Sequence, residues 1–176
     1  LTSNGAAALP TFQAAAGTPL YDRLDNVSLD AGAASLTSNT FTTQRNLRII
    51  ILVPSMSSNG NLQLRFNADT AGNYSAAHSS NNNPPATTTS ATSIMLDDGS
   101  IADGRSFGVD VVNPTGTNVK VTLAEGRRRV AISSTPEWQY SYGGWNWAAI
   151  TSVTILTGGQ FAAGTTLSVW GNDEAG

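Results

Sequence analysis

The chain has 176 residues, enough for one compact domain and too few for two sandwich-sized ones; 40% of them are hydrophobic and only 12% charged. The formal net charge of -3 and a single lysine, Lys120, exclude a basic surface able to displace counterions from a nucleic-acid backbone. With no cysteine neither a disulfide framework nor a thiolate metal site can form, and no apolar run approaches the roughly 20 residues of a membrane span.

In chain order, residues 1–17 (LTSNGAAALPTFQAAAG) hold small residues with no sustained period, so residues 1–19 are expected to be an extended arm or linker ahead of a domain over residues 20–176. A chain that starts at Leu1 is expected to begin at a processing site or at the edge of a larger product. Residues 45–53 (RNLRIIILV) end apolar on both alternating sets, the pattern of a strand buried on both faces or near a sandwich centre. Residues 61–67 place Leu62, Leu64 and Phe66 on one face and Gln63, Arg65 and Asn67 on the other, a half-buried strand. Between the two, Asn59-Gly60 suits a hairpin turn.

Residues 76–90 include SSNNNPPATTTS and predict a long polar surface loop that contains His78. Further strands are expected at 92–96, 105–112, 118–123, 127–133, 150–157 and 165–170. Asp98-Gly99, Asn113-Pro114, Thr115-Gly116, Glu125-Gly126, Gly158-Gly159 and Gly164 fall where short antiparallel strands would reverse. Many short strands without a helical period between them predict an all-β fold, an antiparallel β-sandwich or jelly roll.

Catalytic constellations are thin. The one histidine, His78, is expected to be solvated in its loop, and no nucleophile elbow surrounds a serine. The acidic run LDDGSIADG, with Asp97, Asp98 and Asp103, lacks the residue order and closing glutamate of a calcium loop and reads as an acidic turn. Arg127 and Arg129 fall on one strand face and Arg128 on the other, which suits solvation or an inter-subunit ion pair better than polyanion binding. Asn26-Val27-Ser28 and Asn73-Tyr74-Ser75 match the N-glycosylation pattern, which is short and frequent in an Asn- and Ser-rich chain. No catalytic residue, metal or cofactor is expected.

The richest feature is residues 136–147 (PEWQYSYGGWNW), which gather Trp138, Tyr140, Tyr142, Trp145 and Trp147 around Gly143-Gly144. Two readings stand. The rings bury area as core or subunit contact, or they line a glycine-hinged loop as flat faces for sugars or anchors for a protein. Asn67, Asp69 and Asn73 read as turn builders, because their side chains bond nearby backbone and tolerate unusual dihedrals.

Three runs resemble the structural proteins of tailed-bacteriophage virions. LTSNGAAALPTFQ at the start is similar to a segment near the junction of shaft and head in fibre proteins. Leu64 to Thr70, LRFNADT, continued by Asn73-Tyr74, resembles a strand and turn of β-rich phage domains, and ITSVTI with FAAGT and LSVWG resembles their terminal strand pair. The resemblance implies a non-enzymatic virion structural protein at the particle surface, a capsid decoration or the head of a tail fibre. Its partners would be other virion proteins of capsid or tail, its assembly homotrimeric through the N-terminal arm, with no nucleic acid or membrane partner. A carbohydrate-binding adhesion module with a cell-surface glycan as ligand, and an extracellular filament subunit, are the alternatives.

Overall fold

A computed structural model describes residues 21–58, 60–80, 84–101, 104–128 and 137–173. The expected arm and residues 129–133 lie outside the described residues. Within them the chain is all β: β1 (Asp22–Ser28), β2 (Ala33–Thr37), β3 (Asn46–Val53), β4 (Met56–Ser58), β5 (Gly60–Phe66), β6 (Tyr74–Ser80), β7 (Ala86–Ala91), β8 (Ile94–Ile101), β9 (Arg105–Val112), β10 (Lys120–Arg128), β11 (Glu137–Trp145), β12 (Val153–Phe161) and β13 (Thr166–Asn172). No helix among the described residues is long and apolar enough to cross a membrane.

Two antiparallel sheets pack face to face as a sandwich. The larger runs β1-β13-β3-β9-β10-β11-β6-β7, and the smaller β2-β12-β5-β8 with β4 also on β12. Alternation along β3 and β5 makes this packing possible. Leu47, Ile49, Ile51 and Val53 turn inward from the large sheet and meet Leu62, Leu64 and Phe66 of the small one. Burying each such side chain is worth about 1.5–3 kcal/mol before the entropy of ordering it is counted. Polar bonds join the layers as well. The Tyr74 hydroxyl accepts from Phe66 N at 2.9 Å and donates to Phe66 O at 3.1 Å, and Ser141 Oγ donates to Met95 O at 2.6 Å.

Several expectations are corrected. β3 is buried on one face only: Ile50 and Leu52 stand 44% and 49% exposed on its other face. No hairpin joins β3 to β5, because β3 belongs to the large sheet and β5 to the small one; Asn59 lies outside the described residues. The chain crosses between layers after Val53, since β4 already pairs with β12 of the small sheet, and Gly60 lets β5 approach β12, because a Cβ there would collide with Thr157 Oγ1. The polar stretch 76–90 is largely strand: β6 and β7 pair with each other at the rim of the large sheet, with Ala76 opposite Thr88 and His78 opposite Ala86. His78 is therefore not a solvated loop histidine; only 10% of its side chain is exposed and Nε2 lies 3.1 Å from Asp98 Oδ2.

Glycine misled in the same way. Glu125-Gly126, Asp98-Gly99 and Gly158-Gly159 lie inside β10, β8 and β12 rather than at reversals, and Gly143-Gly144 lies inside β11 rather than at the hinge of a loop. Gly126 is where the Phe107 ring rests on β10, and a Cβ there would come within 2.3 Å of ring carbons. The turn around Asn113-Pro114 and Gly116 does separate β9 from β10, and Gly164, with φ +80°, does lead into the last strand.

Candidate functional site

β10 and β11 carry their polarity inside out. On β10 the inward set is Lys120, Thr122, Ala124 and Gly126, while Val121, Leu123, Glu125 and Arg127 face outward. On β11 the inward set is Gln139, Ser141, Gly143 and Trp145, while Trp138 and Tyr142 are exposed and Tyr140 half-buried. Shifting either strand by one residue would exchange the sets. Bulk already present on the inner side prevents it: Phe107 occupies the space over Gly126, and Ile94 Cδ1 lies 2.7 Å from where a Cβ on Gly143 would stand.

The outer face of the large sheet is consequently apolar. Cross-strand pairing places Leu52, Ser106, Arg127 and Trp138 in one row, Ile50, Gly108, Glu125 and Tyr140 in the next, and Arg48, Asp110, Leu123 and Tyr142 in a third. Val112, Val121 and Gly144 make a fourth. Gly108 leaves a depression in this face, a cavity of about 480 Å³ walled by Ile50 and Leu52 on one side and Arg127 and Trp138 on the other. The Arg127 guanidinium lies 4.0 Å from the Trp138 ring centroid, a stacking that fixes an otherwise mobile side chain. Arg48 pairs with Asp110 at 3.2 Å with both side chains about half exposed, so the pair adds little stability.

The five aromatic residues singled out in the sequence do not form one site. Trp138, Tyr140 and Tyr142 share the outer face of β11. Trp145 is fully buried, with ring centroids 5.4 Å from Phe66 and 6.0 Å from Tyr74. Trp147 lies beyond β11, 59% exposed, over a second cleft of about 410 Å³ that it lines with Asn67, Asp69, Ala71 and Asn73.

The turn beside that cleft is held by its own side chains. Asn67 has φ 51°; its Oδ1 accepts from Thr151 N at 2.8 Å and Ser152 N at 3.1 Å, and its Nδ2 donates to Ala149 O at 2.7 Å. Asp69 accepts from Ala71 N at 2.9 Å, Asn73 Nδ2 at 3.0 Å and Trp145 Nε1 at 2.7 Å. Burial by itself would raise the Asp69 pKa, but those three bonds and the charge of Arg65 outweigh it and hold the carboxyl below its usual range. A depressed pKa in the folded state contributes stability that is complete above the unfolded value, near 3.9, and lost as pH falls through the folded value. Thermal melts from pH 6 to pH 2 are expected to show wild type above Asp69→Asn by a margin that narrows in acid; a constant margin would remove the charge from the explanation.

Two residues that the sequence reading passed over hold opposite ends of the sandwich, Lys120 beside this cleft and Arg105 at the far end of β9. Lys120 is fully buried beneath the loops. Its ammonium donates to Gly116 O, to Asn118 O at 3.0 Å and to Trp147 O at 2.5 Å, and burial pulls its pKa below the usual lysine range. Arg105 meets Asp97 across the sheets at 2.9 Å with neither side chain exposed. The acidic run is thus engaged by the fold: Asp97 faces Arg105 and Asp98 faces His78, while Asp103 lies outside the described residues. A signal for Lys120 was present in its being the one lysine, set between two valines on a strand; nothing in the spacing points from Arg105 to Asp97. Set against family models, curated proteins and solved structures, the chain matches none.

Proposed function

We propose that this chain is a non-catalytic assembly and attachment domain of a bacteriophage particle, the head of a fibre or a decoration on the capsid, and that its copies pack through the outer face of the large sheet. The inverted polarity of β10 and β11 carries the assembly half. A sheet face that holds Ile50, Leu52, Val112, Val121, Leu123, Trp138 and Tyr142 to solvent exposes the amount of large apolar surface that marks a contact surface. Its aromatic and Arg content, with few other charges, matches the core of a protein interface. The virion half is supported by the three motif runs at residues 1–13, 64–74 and 150–171.

Mass photometry of the full chain at micromolar concentration is expected to give trimers. Leu123→Arg combined with Tyr142→Arg should shift the distribution to monomers without lowering the melting temperature of the monomer by more than a few degrees, because neither residue belongs to the core. Monomers alone for the wild type would reject packing through this face. Antibodies raised to the domain are expected to label capsids or tails of the phage particles that encode it, and unlabelled particles would reject the virion assignment.

A further inference from the structure

The loop after β11 presents a large ring to solvent on a backbone held from several sides. Trp147 is 59% exposed, yet its carbonyl is bound by Lys120 Nζ. The preceding amide, Asn146 N, donates to Asn73 O at 3.2 Å, and Asn67 secures Ala149, Thr151 and Ser152. An exposed indole adds nothing to the core, and a loop fixed this firmly cannot fold it away. Rigidly presented aromatic rings are what recognition surfaces use.

The chemistry opposite the ring narrows the ligand. The cleft, about 410 Å³, falls in the range of roughly 300–1,000 Å³ typical of small-molecule sites. Asp69 is held in its ionised form, and a carboxylate offers about four lone-pair positions. Three are filled by Ala71, Asn73 and Trp145, which leaves room to accept one more proton donor. Asn73 adds an amide whose oxygen can accept. An anion would be repelled by Asp69. A cation finds a single ring rather than a cage, and a carboxylate already balanced by three donors and Arg65. A pyranose meets every demand, since its C–H face carries the partial positive charge that complements the negative face of an indole, and its hydroxyls both donate and accept.

We propose that the cleft between Trp147 and the Asn67–Asp69–Asn73 turn binds a neutral saccharide, with a pyranose stacked on the indole and one hydroxyl donating to Asp69. This deepens the attachment half of the reading above, and the two fail separately: the cleft lies where the chain crosses between sheets, apart from the outer face, so loss of sugar binding leaves the oligomer intact.

The test is titration of the full chain with methyl glycosides of glucose, galactose, mannose and rhamnose and with N-acetylglucosamine, read by tryptophan fluorescence and by the indole N–H signals in NMR. At least one sugar is expected to bind saturably with Kd on the order of millimolar, the affinity that about a dozen heavy atoms supply, and to shift the Trp147 signal. Trp147→Ala should weaken it by about tenfold or more, and Trp147→Tyr should restore it to within a few-fold. No saturable binding by any of the sugars, undiminished binding by a folded Trp147→Ala variant, or a response to choline chloride alone would each overturn the proposal. The NMR shift on the wild-type chain decides the matter even if a variant fails to fold.

Discussion

Asp97→Ala is expected to cost the domain about 3–5 kcal/mol, the largest loss of any single carboxylate among the described residues. Asp97 belongs to β8 of the small sheet and Arg105 to β9 of the large one, and both side chains are fully buried with Nε and Oδ2 2.9 Å apart. The guanidinium also donates to Gly60 O at 2.7 Å and Gly99 O at 2.6 Å, and Asp97 Oδ1 accepts from Gly99 N at 2.7 Å. Removing the carboxylate leaves a buried cation without the charge that balances it at 2.9 Å. Removing both charges does not, so Asp97→Leu with Arg105→Met should recover most of the loss. Urea denaturation of the two single variants and the double variant measures the coupling, provided the m-value is unchanged. A single variant within 1 kcal/mol of wild type would show that the pair is dispensable.

How much of this was legible in the sequence depends on how far each strand obeys its pattern. β3, β5, β9 and β13 alternate, bury their apolar set and stand out from composition alone. β6 and β7 do not, because a rim strand such as β7, exposed along nearly its whole length, has no need of an apolar face, and its Ser and Thr look like loop. β10 and β11 are harder. The sequence pattern divides β10 at Glu125-Gly126 and leaves β11 out of the strands, and the facing is opposite to what hydrophobicity suggests, since it is dictated by partners such as Phe107 and Ile94 that are distant in sequence. The aromatic segment was visible as a cluster and invisible as a division: parity separates Trp138, Tyr140 and Tyr142 from Trp145, while Trp147 lies past the strand end. Glycine is ambiguous for a physical reason. The residue that turns a chain is also the one that makes room for a ring, and Gly126 does the second.

The same ambiguity gives the buried Trp145 its importance, because it connects the core to the cleft. Trp145→Ala is expected to cost about 3–5 kcal/mol, the usual range for deleting a buried Trp or Phe side chain. It stacks with Tyr74 and packs tilted against Phe66, the Lys120 ammonium lies 5.2 Å from its ring centroid, and its Nε1 donates to Asp69 at 2.7 Å. Truncation would therefore open a cavity, strip Lys120 of its ring and release one of the donors that hold Asp69 ionised. Trp145→Phe separates these effects. It keeps an aromatic ring in contact with Phe66 and Tyr74 but loses the hydrogen bond to a charged acceptor, a contribution of about 1.5–3 kcal/mol. Denaturation of both variants in urea, with near-UV circular dichroism to follow the aromatic packing, distinguishes them. If Trp145→Phe is as unstable as Trp145→Ala, the bond to Asp69 anchors this corner and ring area is secondary. If the Ala variant loses less than about 1.5 kcal/mol, the neighbours have collapsed into the space and the trio is not the support it is taken for here.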